Sequence, residues 1–493
     1  MIYNFNLGIG WASSGVEYAQ IYRARMFRNI GVDAKFVFTD MFPSENMEHM
    51  TKNIGFLDSE VIWLYTFFTD FKTAPVTYTL SDLEKTFTDL NYTKTREGKI
   101  CRYVFGGSNN FYTAYMVNDH DDFVHRVEMV SGGCLIRKDY FTYGRVYSEY
   151  YAPLDNAAHL YHRRFFNENG SVAYEEIIDD DRVMYKFKDK ILCSKEEFVG
   201  YMVSQLHLTK DDVVLIDRST DIGQSIIMNC KPARVGTVVH ADHFSEKETN
   251  EDYILWNNYY EYEFNMHKHI DFYICSTQAQ SDLMVQQFEK YYGVIPCVYT
   301  IPVGSLPELK YPKEKRKPFS LITASRLASE KHVDWICKAV IQARSEVPKL
   351  SLDIYGEGGE RSKLETIIRE NNASSYIRLM GQHDLSEVYQ NYEAYIAGST
   401  SEGFGLTLME AVGGGLPIIG FDVRYGNPTF IRDGENGYLI SLPEEDKDRV
   451  EALRKGIVDL FKQDLEHCHS VSYEVAGDFL TSNVQEKWRE AVC

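Results

Sequence analysis

The chain has 493 residues, 44% of them hydrophobic and 25% charged, with 72 Asp and Glu against 52 Lys and Arg and a formal net charge of -20. Such a length exceeds what one hydrophobic core serves, and predicts two domains plus an insertion. The acidic balance argues against a sequence-independent grip on nucleic acid and disfavours a polyanionic polymer as acceptor, because neutralising phosphates requires a basic surface.

The N-terminus MIYNFNLGIGW has neither the basic start nor the apolar core of a signal peptide. It reads as a short strand followed by a glycine-bearing loop, GIGWASSG at 8–15. A helix comes next, with Val16, Ala19, Tyr22, Met26, Phe27 and Ile30 at helical spacing, and then a second strand, AKFVF at 34–38. This βαβ opening predicts a doubly wound parallel sheet.

After residue 70 the pattern becomes alternating and aromatic: CRYVF (101–105), FYTAYMV (111–117), FVHRVEMV (123–130), AHLYHRRFF (158–166) and VMYKFKDKIL (183–192). The turn sequences GGSN, NDHDD, SGG and NENG separate several of these runs, so an antiparallel meander is expected. Asp179, Asp180 and Asp181 fall between meander strands and read as a solvated turn, not a metal site. Buried-strand runs return at VVLID (213–217), VGTVV (235–239), DFYICST (271–277) and VYTIPVG (298–304), which makes the meander an insertion within the first α/β domain.

The basic run KYPKEKRKP (310–318) reads as a solvated linker loop. Beyond it FSLITASRL (319–327), LSLDIYGEG (351–358), SYIRLMGQ (375–382) and AYIAGST (394–400) predict a second parallel α/β domain. The expected boundaries are 1–75 with 200–305 for an N-terminal Rossmann-like domain and 76–199 for the inserted β-meander. The C-terminal Rossmann-like domain is expected at 306–475, with a final helix at 476–493 crossing back to the first domain. Two such domains facing one another leave a cleft, a usual place for a ligand.

Nine cysteines, an odd number without a CxxC, fit a reducing cytoplasm better than a disulfide framework, and no metal cluster is implied. The longest apolar runs, such as VIWLY at 61–65, are far short of a membrane span. A cytoplasmic protein is expected, with peripheral docking at the inner membrane face left open.

The most informative stretch is EGFGLTLME, bracketed by Glu402 and Glu410. At about 100° per residue, eight steps return nearly to the starting face, so a helix opening near Gly405 aims Glu410 beside its own N-terminus. The N–H groups of Gly405, Leu406 and Thr407 then face outward between two carboxylates, which suits a phosphate flanked by sugar hydroxyls. Gly403 and Phe404 complete that loop. Glu410 suits ribose hydroxyls and Glu402 the transferred sugar; the alternative is that Glu402 caps the helix electrostatically and Gly413, Gly414 and Gly415 serve packing.

Arg326 and Lys331 follow the strand SLITA at its carboxyl end, where open α/β sheets bind ligands. Alone they read as a surface pair. Together with Glu402 and Glu410 they point to a diphosphate, gripped bidentately by Arg and by the point charge of Lys, without a metal or other cofactor. Gly381, Gln382 and His383, at the end of SYIRLMGQ, are assigned to the same substrate. From the first domain, Gly15 brings a helix N-terminus, and His240, at the end of VGTVV, is preferred over His243 as a group facing the donor sugar.

The motifs SRLASEK (325–331), YGEG (355–358), SEGFGLTLMEAVGGGLPII (401–419) and IRDGENGYLI (431–440) resemble the retaining GT-B glycosyltransferases of family 4. One departure is His332, where that family usually has Gly. A closer resemblance includes the opening YNFNLGIGWASSGVEYAQ and the meander, and is to the catalytic subunits of accessory Sec O-glycosyltransferases of Gram-positive bacteria. It implies a GT-B fold, UDP-N-acetylglucosamine as donor, retention at the anomeric carbon, and Ser/Thr of serine-rich-repeat adhesins as acceptors. It also implies a homologous partner subunit. The meander's edges and aromatic faces read as an interaction module, the alternative being a self-contained sheet whose aromatics make its own core. In the family's terms Arg326 and Lys331 take the diphosphate, Glu402 the sugar and Glu410 the ribose, while His240 and Gly15 complete the site. A wall teichoic acid glycosyltransferase and a non-catalytic scaffold subunit are the competing readings.

Overall fold

The computed structural model describes residues 1–9, 15–43, 45–87, 90–106 and 109–493. Contacts divide them into two compact units, one of Met1–Ala24, Val32–Thr237 and Glu261–Asp271, the other of Arg25–Gly31, Val238–Tyr260 and Phe272–Cys493.

In the first unit the strand Ile2–Asn6 pairs in parallel with Ala34–Phe38 on one side and with Val213–Ile216 on the other. Val61–Trp63 and Arg234–Val239 extend this sheet outward in the same sense. Strand neighbours 2–6 and 213–216 are separated in sequence by the whole meander, which is therefore inserted. The strands are buried without alternation, VVLI at 213–216 throughout and IYNFN at 2–6 with its two asparagines included, as cover on both faces requires.

The meander is a ten-stranded antiparallel sheet running from Tyr92–Glu97 to Ile191–Leu192. Gly132 and Gly133 form the two-residue turn between Ser131 and Cys134 with φ of 58° and 81°, left-handed values that the SGG signal requires. Asp155 and Asn156 make an equivalent turn with φ of 49° and 61°. The run 183–192 divides into two strands, Arg182–Lys186 and Ile191–Leu192, because Phe187 turns back to bond the Lys190 carbonyl at 2.8 Å. Asp179 and Asp180 are exposed at a turn, as expected. The aromatics on the buried side belong to the sheet's own core and to its seat on the first sheet: Tyr174 stacks on Phe165 and donates its hydroxyl to the Tyr65 carbonyl at 2.7 Å.

The second unit carries a six-stranded parallel sheet made of Ser320–Ala324, Ser351–Tyr355, Ile377–Gly381, Ala394–Ile396, Ile418–Phe421 and Gly437–Ile440. Neighbouring side chains of one strand serve opposite layers. Leu321 packs with Ile336, Leu352 and Leu453, whereas Ile322 packs with Tyr395, Leu408 and Val475. Helices thus cover both faces, and the loops at the strands' carboxyl ends are left to build a site. In the same unit Trp488, on the last helix Thr481–Val492, packs edge-on against Phe27 with ring centroids 5.3 Å apart.

The basic run 310–318 corrects its sequence reading. Arg316 is buried, and its guanidinium donates to the carbonyls of Gln390, Tyr392 and Gly414, each at 2.9 Å, and to the Tyr473 hydroxyl at 3.1 Å. Lys310 and Lys313 pair with Glu387. The segment is a strap pinned to the sheet's rim, because one cation can satisfy several carbonyls that would otherwise be buried without partners.

Candidate functional site

The carboxyl-terminal loops of the six-stranded sheet are tied to each other by backbone. Ser325 N–H bonds Tyr355 O at 3.1 Å, Leu327 N–H bonds Glu357 O at 2.9 Å, and Gly356 N–H bonds Gly381 O at 2.8 Å. Gly356 has φ 125°, and a Cβ there would fall 1.9 Å from Ser325 O, so only glycine lets these two loops touch. Arg326, the YGEG loop and Gly381–His383 are thereby fixed along one rim.

Lys331 closes a short 3₁₀ turn, Ser329–Lys331, and is followed by His332 in the left-handed region at φ 44°, ψ 41°. That conformation explains the family's glycine at this position. His332 adopts it with its ring stacked on Trp335, centroids 3.5 Å apart. The turn delivers Lys331 Nζ to 2.6 Å from Glu402 Oε2. Arg326 lies on the same loop, 75% exposed, and its guanidinium reaches Glu330 at 2.8 Å.

The helix Leu406–Gly413 opens where expected, with Gly405 at φ 87° as its cap. Its first closing bonds run from the N–H groups of Leu408 and Met409 to the Gly405 carbonyl, so the N–H groups of Leu406 and Thr407 precede the closed turn. Glu402 is held from behind: its N–H bonds Arg424 O at 3.1 Å, and its carbonyl accepts from the N–H groups of Tyr425 and Gly426 at 2.5 and 2.7 Å. Glu410 accepts the Tyr389 hydroxyl at 3.1 Å, and burial raises its carboxyl above the usual range. The Tyr395 hydroxyl lies 2.9 Å from Ala324 O and 3.1 Å from Thr407 Oγ1, tying the helix start to the strand that leads to Arg326.

The segment after Val239 belongs to the same unit. A Cβ on Gly403 would lie 3.4 Å from the His240 carbonyl, so the glycine-rich loop runs against His240. The N–H groups of His240 and Ala241 both donate to the Tyr260 hydroxyl, at 2.9 and 3.0 Å. His243 is fully buried.

Two family models match the chain: "GtfA extended beta-sheet domain" over residues 93–189 and "Glycosyl transferases group 1" over residues 308–475. The UDP-N-acetylglucosamine–peptide N-acetylglucosaminyltransferase GtfA subunit of Streptococcus agalactiae is 52% identical over 99% of this chain and 97% of its own length. The chain belongs to the GtfA subunit family. A crystal structure of the pneumococcal O-GlcNAc transferase GtfA in complex with UDP and GlcNAc superposes with a TM-score of 0.87 at 50% identity, covering 100% of this chain and 98% of that one. A crystal structure of a GtfA/B complex superposes with a TM-score of 0.96 at 52% identity, covering 100% and 99%. The fold is accordingly GT-B.

Within this GtfA-family chain the structure brings Lys331 and Glu402 into contact, and sets Gly403, Gly405, Leu406, Thr407 and His240 around them. Glu410 is half-buried one turn on from Leu406 and Thr407 on the same helix. Gln382 and His383 are exposed on the rim, with His383 Nε2 donating to Met380 O at 2.8 Å. The Phe404 ring turns into the core against Phe430 and Phe479, so what Phe404 can offer a ligand is backbone. Gly413, Gly414 and Gly415 do serve packing: added Cβ atoms would fall within 3 Å of Leu306, Tyr389 and Tyr473 respectively. Gly15 opens the helix Gly15–Ile30 in the first unit and is exposed, while residues 10–14 of its loop lie outside the described residues. Sequence reasoning missed Tyr389, Tyr395 and the Arg424–Gly426 segment. The usable signal was the strand IIGF followed by RYGNP, a second strand end aimed at the same rim.

Proposed function

We infer that this chain is the catalytic subunit of a UDP-GlcNAc-dependent peptide N-acetylglucosaminyltransferase, working with a homologous second subunit. It transfers GlcNAc from UDP-GlcNAc to polypeptide hydroxyls, and we take the acceptors to be Ser and Thr of a serine-rich-repeat adhesin. The observation that carries the reading is the Lys331–Glu402 contact at the mouth of the helix that begins after Gly405. It sets a cation, a carboxylate and outward N–H groups side by side. Phosphate oxygens and sugar hydroxyls are the complementary groups, and a sugar nucleotide presents the two side by side.

Arg326 and Lys331 hold the diphosphate, with the helix start as a third positive pole, and Glu402 holds the hydroxyls of the transferred sugar. Glu410 takes the ribose. Gly15, Gly381, Gln382 and His383 line the donor further out, and His240 faces the sugar. In the transition state the bond from the anomeric carbon to the β-phosphate oxygen breaks while the acceptor oxygen bonds that carbon from the same face. The departing phosphate oxygen takes the acceptor's proton, so configuration is retained and no separate base is needed. Each preorganised charge on the leaving group is worth about 3–4 kcal/mol, and two cations with a helix start take the place of a divalent metal. We place the reaction in the cytoplasm, peripheral to the membrane; among the described residues no helix is long and apolar enough to cross one.

A polyol-phosphate acceptor is disfavoured, because the relatives matched over almost the full length act on peptide and the net charge is -20. A purely scaffolding role is disfavoured because Arg326, Lys331, Glu402 and Glu410 are all present. A donor-hydrolysis assay over a panel of UDP-sugars, with and without a Ser/Thr-rich peptide, tests the reading. UDP release is expected to be fastest with UDP-GlcNAc and to be stimulated by the peptide. Equal rates with every UDP-sugar and no peptide effect would sink it.

A further inference from the structure

His243 takes no part in the chemistry just described, yet it is fully buried between aromatic rings, with Trp256 and Tyr425 each 6.1 Å away between centroids. Its Nε2 lies 2.7 Å from Gln287 Oε1, an atom that can only accept, so Nε2 carries the proton. Nδ1 is then a lone pair facing the Tyr425 hydroxyl at 3.3 Å, a hydroxyl whose single proton is shared between this nitrogen and the Asp242 carboxylate. Burial holds the imidazole down to about 4, so this tautomer is the resident form at neutral pH. Burial, and then the Asp242 carboxylate, push the Tyr425 hydroxyl well above its ordinary range, so it keeps its proton.

Tyr425 is not an incidental partner. Its own N–H and that of Gly426 grip the Glu402 carbonyl, and Glu402 and Tyr425 form an isolated parallel bridge. Gly426 leaves no room for play, since a Cβ there would fall 2.3 Å from Phe404 O. A line of contacts thus runs from Gln287 through His243 and Tyr425 to the backbone that carries Glu402 and Gly403.

We propose that His243 is a positioning residue that, through the Tyr425 hydroxyl, fixes the backbone of Glu402 and thereby aligns the donor's sugar, leaving the grip on the diphosphate unchanged. The proposal rests on Glu402 being the group that meets the transferred sugar. Arg326 and Lys331 follow a different strand, Ser320–Ala324, and Lys331 meets the Glu402 carboxylate from that side, so the cations on the diphosphate do not hang from this line and UDP affinity and UDP-GlcNAc affinity become separable.

The two ring nitrogens can be tested one at a time. His243→Gln keeps an amide near Nε2 for Gln287 and removes the acceptor at Nδ1; His243→Asn does the reverse; Tyr425→Phe removes only the donor. Calorimetry with UDP and with UDP-GlcNAc is run on the wild-type chain and all three variants, with turnover measured alongside. We expect His243→Gln and Tyr425→Phe each to weaken UDP-GlcNAc binding about tenfold while UDP stays within about twofold, a single lost hydrogen bond being worth roughly that factor. The double variant should be no worse than either single one, and His243→Asn should stay near wild type in the ratio of the two affinities whatever its melting temperature. The proposal is overturned if His243→Asn is as damaging as His243→Gln, if the two single effects multiply, or if UDP and UDP-GlcNAc weaken together. A wild-type chain that binds neither ligand overturns the functional reading itself, and this proposal with it.

Discussion

Lys331 Nζ and Glu402 Oε2 meet at 2.6 Å across 71 residues of sequence, with the two side chains only 23% and 20% exposed. A pair this close to solvent stabilises a fold by about 1 kcal/mol or less. Lys331→Ala should therefore lower the melting temperature by no more than about 3 °C. Turnover should fall by about 10²- to 10³-fold, because a preorganised charge on the leaving group is lost. Differential scanning fluorimetry and steady-state kinetics on one preparation check this; matching small effects on both would count against the role.

Arg326 is a cleaner case, since among the described residues its ionic contact is the within-turn pair with Glu330 on an exposed loop. Such pairs contribute about 0.3–0.5 kcal/mol. Arg326→Ala should leave the melting temperature within about 1 °C of wild type and cut kcat/KM by about a hundredfold. Arg326→Lys should recover only part of that loss, because an ammonium cannot hold two phosphate oxygens in a fixed fork.

Gly405 tests the helix start. At φ 87° a side chain is strained, and its Cβ would sit 2.6 Å from Leu408 Cδ1. Gly405→Ala should cost about 2–3 kcal/mol and reduce donor affinity, as the outward N–H groups tilt. Gly359, whose Cβ would meet nothing within 4 Å, is the control. Gly359→Ala should change stability by less than about 0.5 kcal/mol.

Arg316 should behave in the opposite way to Arg326. Its removal takes a donor from three carbonyls, of which Gly414 O keeps the Tyr473 hydroxyl. Urea unfolding of Arg316→Ala should show a loss of about 2–4 kcal/mol. Kinetic constants measured well below the new melting temperature should stay within about twofold of wild type, since the strap is not part of the proposed site.

His243 gives the pH dependence a sign. Its folded value, about 4, lies below the ordinary 6.5, so the unfolded chain binds the extra proton first. Stability from this group is complete above pH 6.5 and is lost progressively as pH falls from there towards 4. The full loss is on the order of 3 kcal/mol. Urea midpoints between pH 7.5 and 4.5 should fall more steeply for the wild type than for His243→Gln; parallel curves would contradict the assignment of a buried neutral imidazole.

What could be read from the sequence was local. The helix start at Gly405 and the carboxylates before and inside it lie within nine residues, and the strand–turn–helix signals around Arg326 and Lys331 are similarly short-range. The meander's hairpins were legible where glycine or Asn marked a turn, as at Gly132 and Gly133. What escaped depends on distant residues. Arg316 sits in a run of lysines that looks solvated, and only the carbonyls of Gln390, Tyr392 and Gly414, 74 to 98 residues away, make it a buried clasp. The His243–Tyr425 contact spans 182 residues, so nothing near either one announces the other. His240 and His243 are three positions apart and equally polar. Burial, which no short window reveals, separates them.

The most direct test is mass spectrometry of a Ser/Thr-rich peptide and, in parallel, a polyol-phosphate polymer, each incubated with UDP-GlcNAc, EDTA, the partner subunit and either the wild-type chain or Lys331→Ala. The account predicts N-acetylhexosamine added to peptide hydroxyls by the wild type, undiminished by EDTA, with at least a hundredfold less by the variant. Label on the polymer in place of the peptide, dependence on a divalent cation, or equal transfer by Lys331→Ala would contradict it.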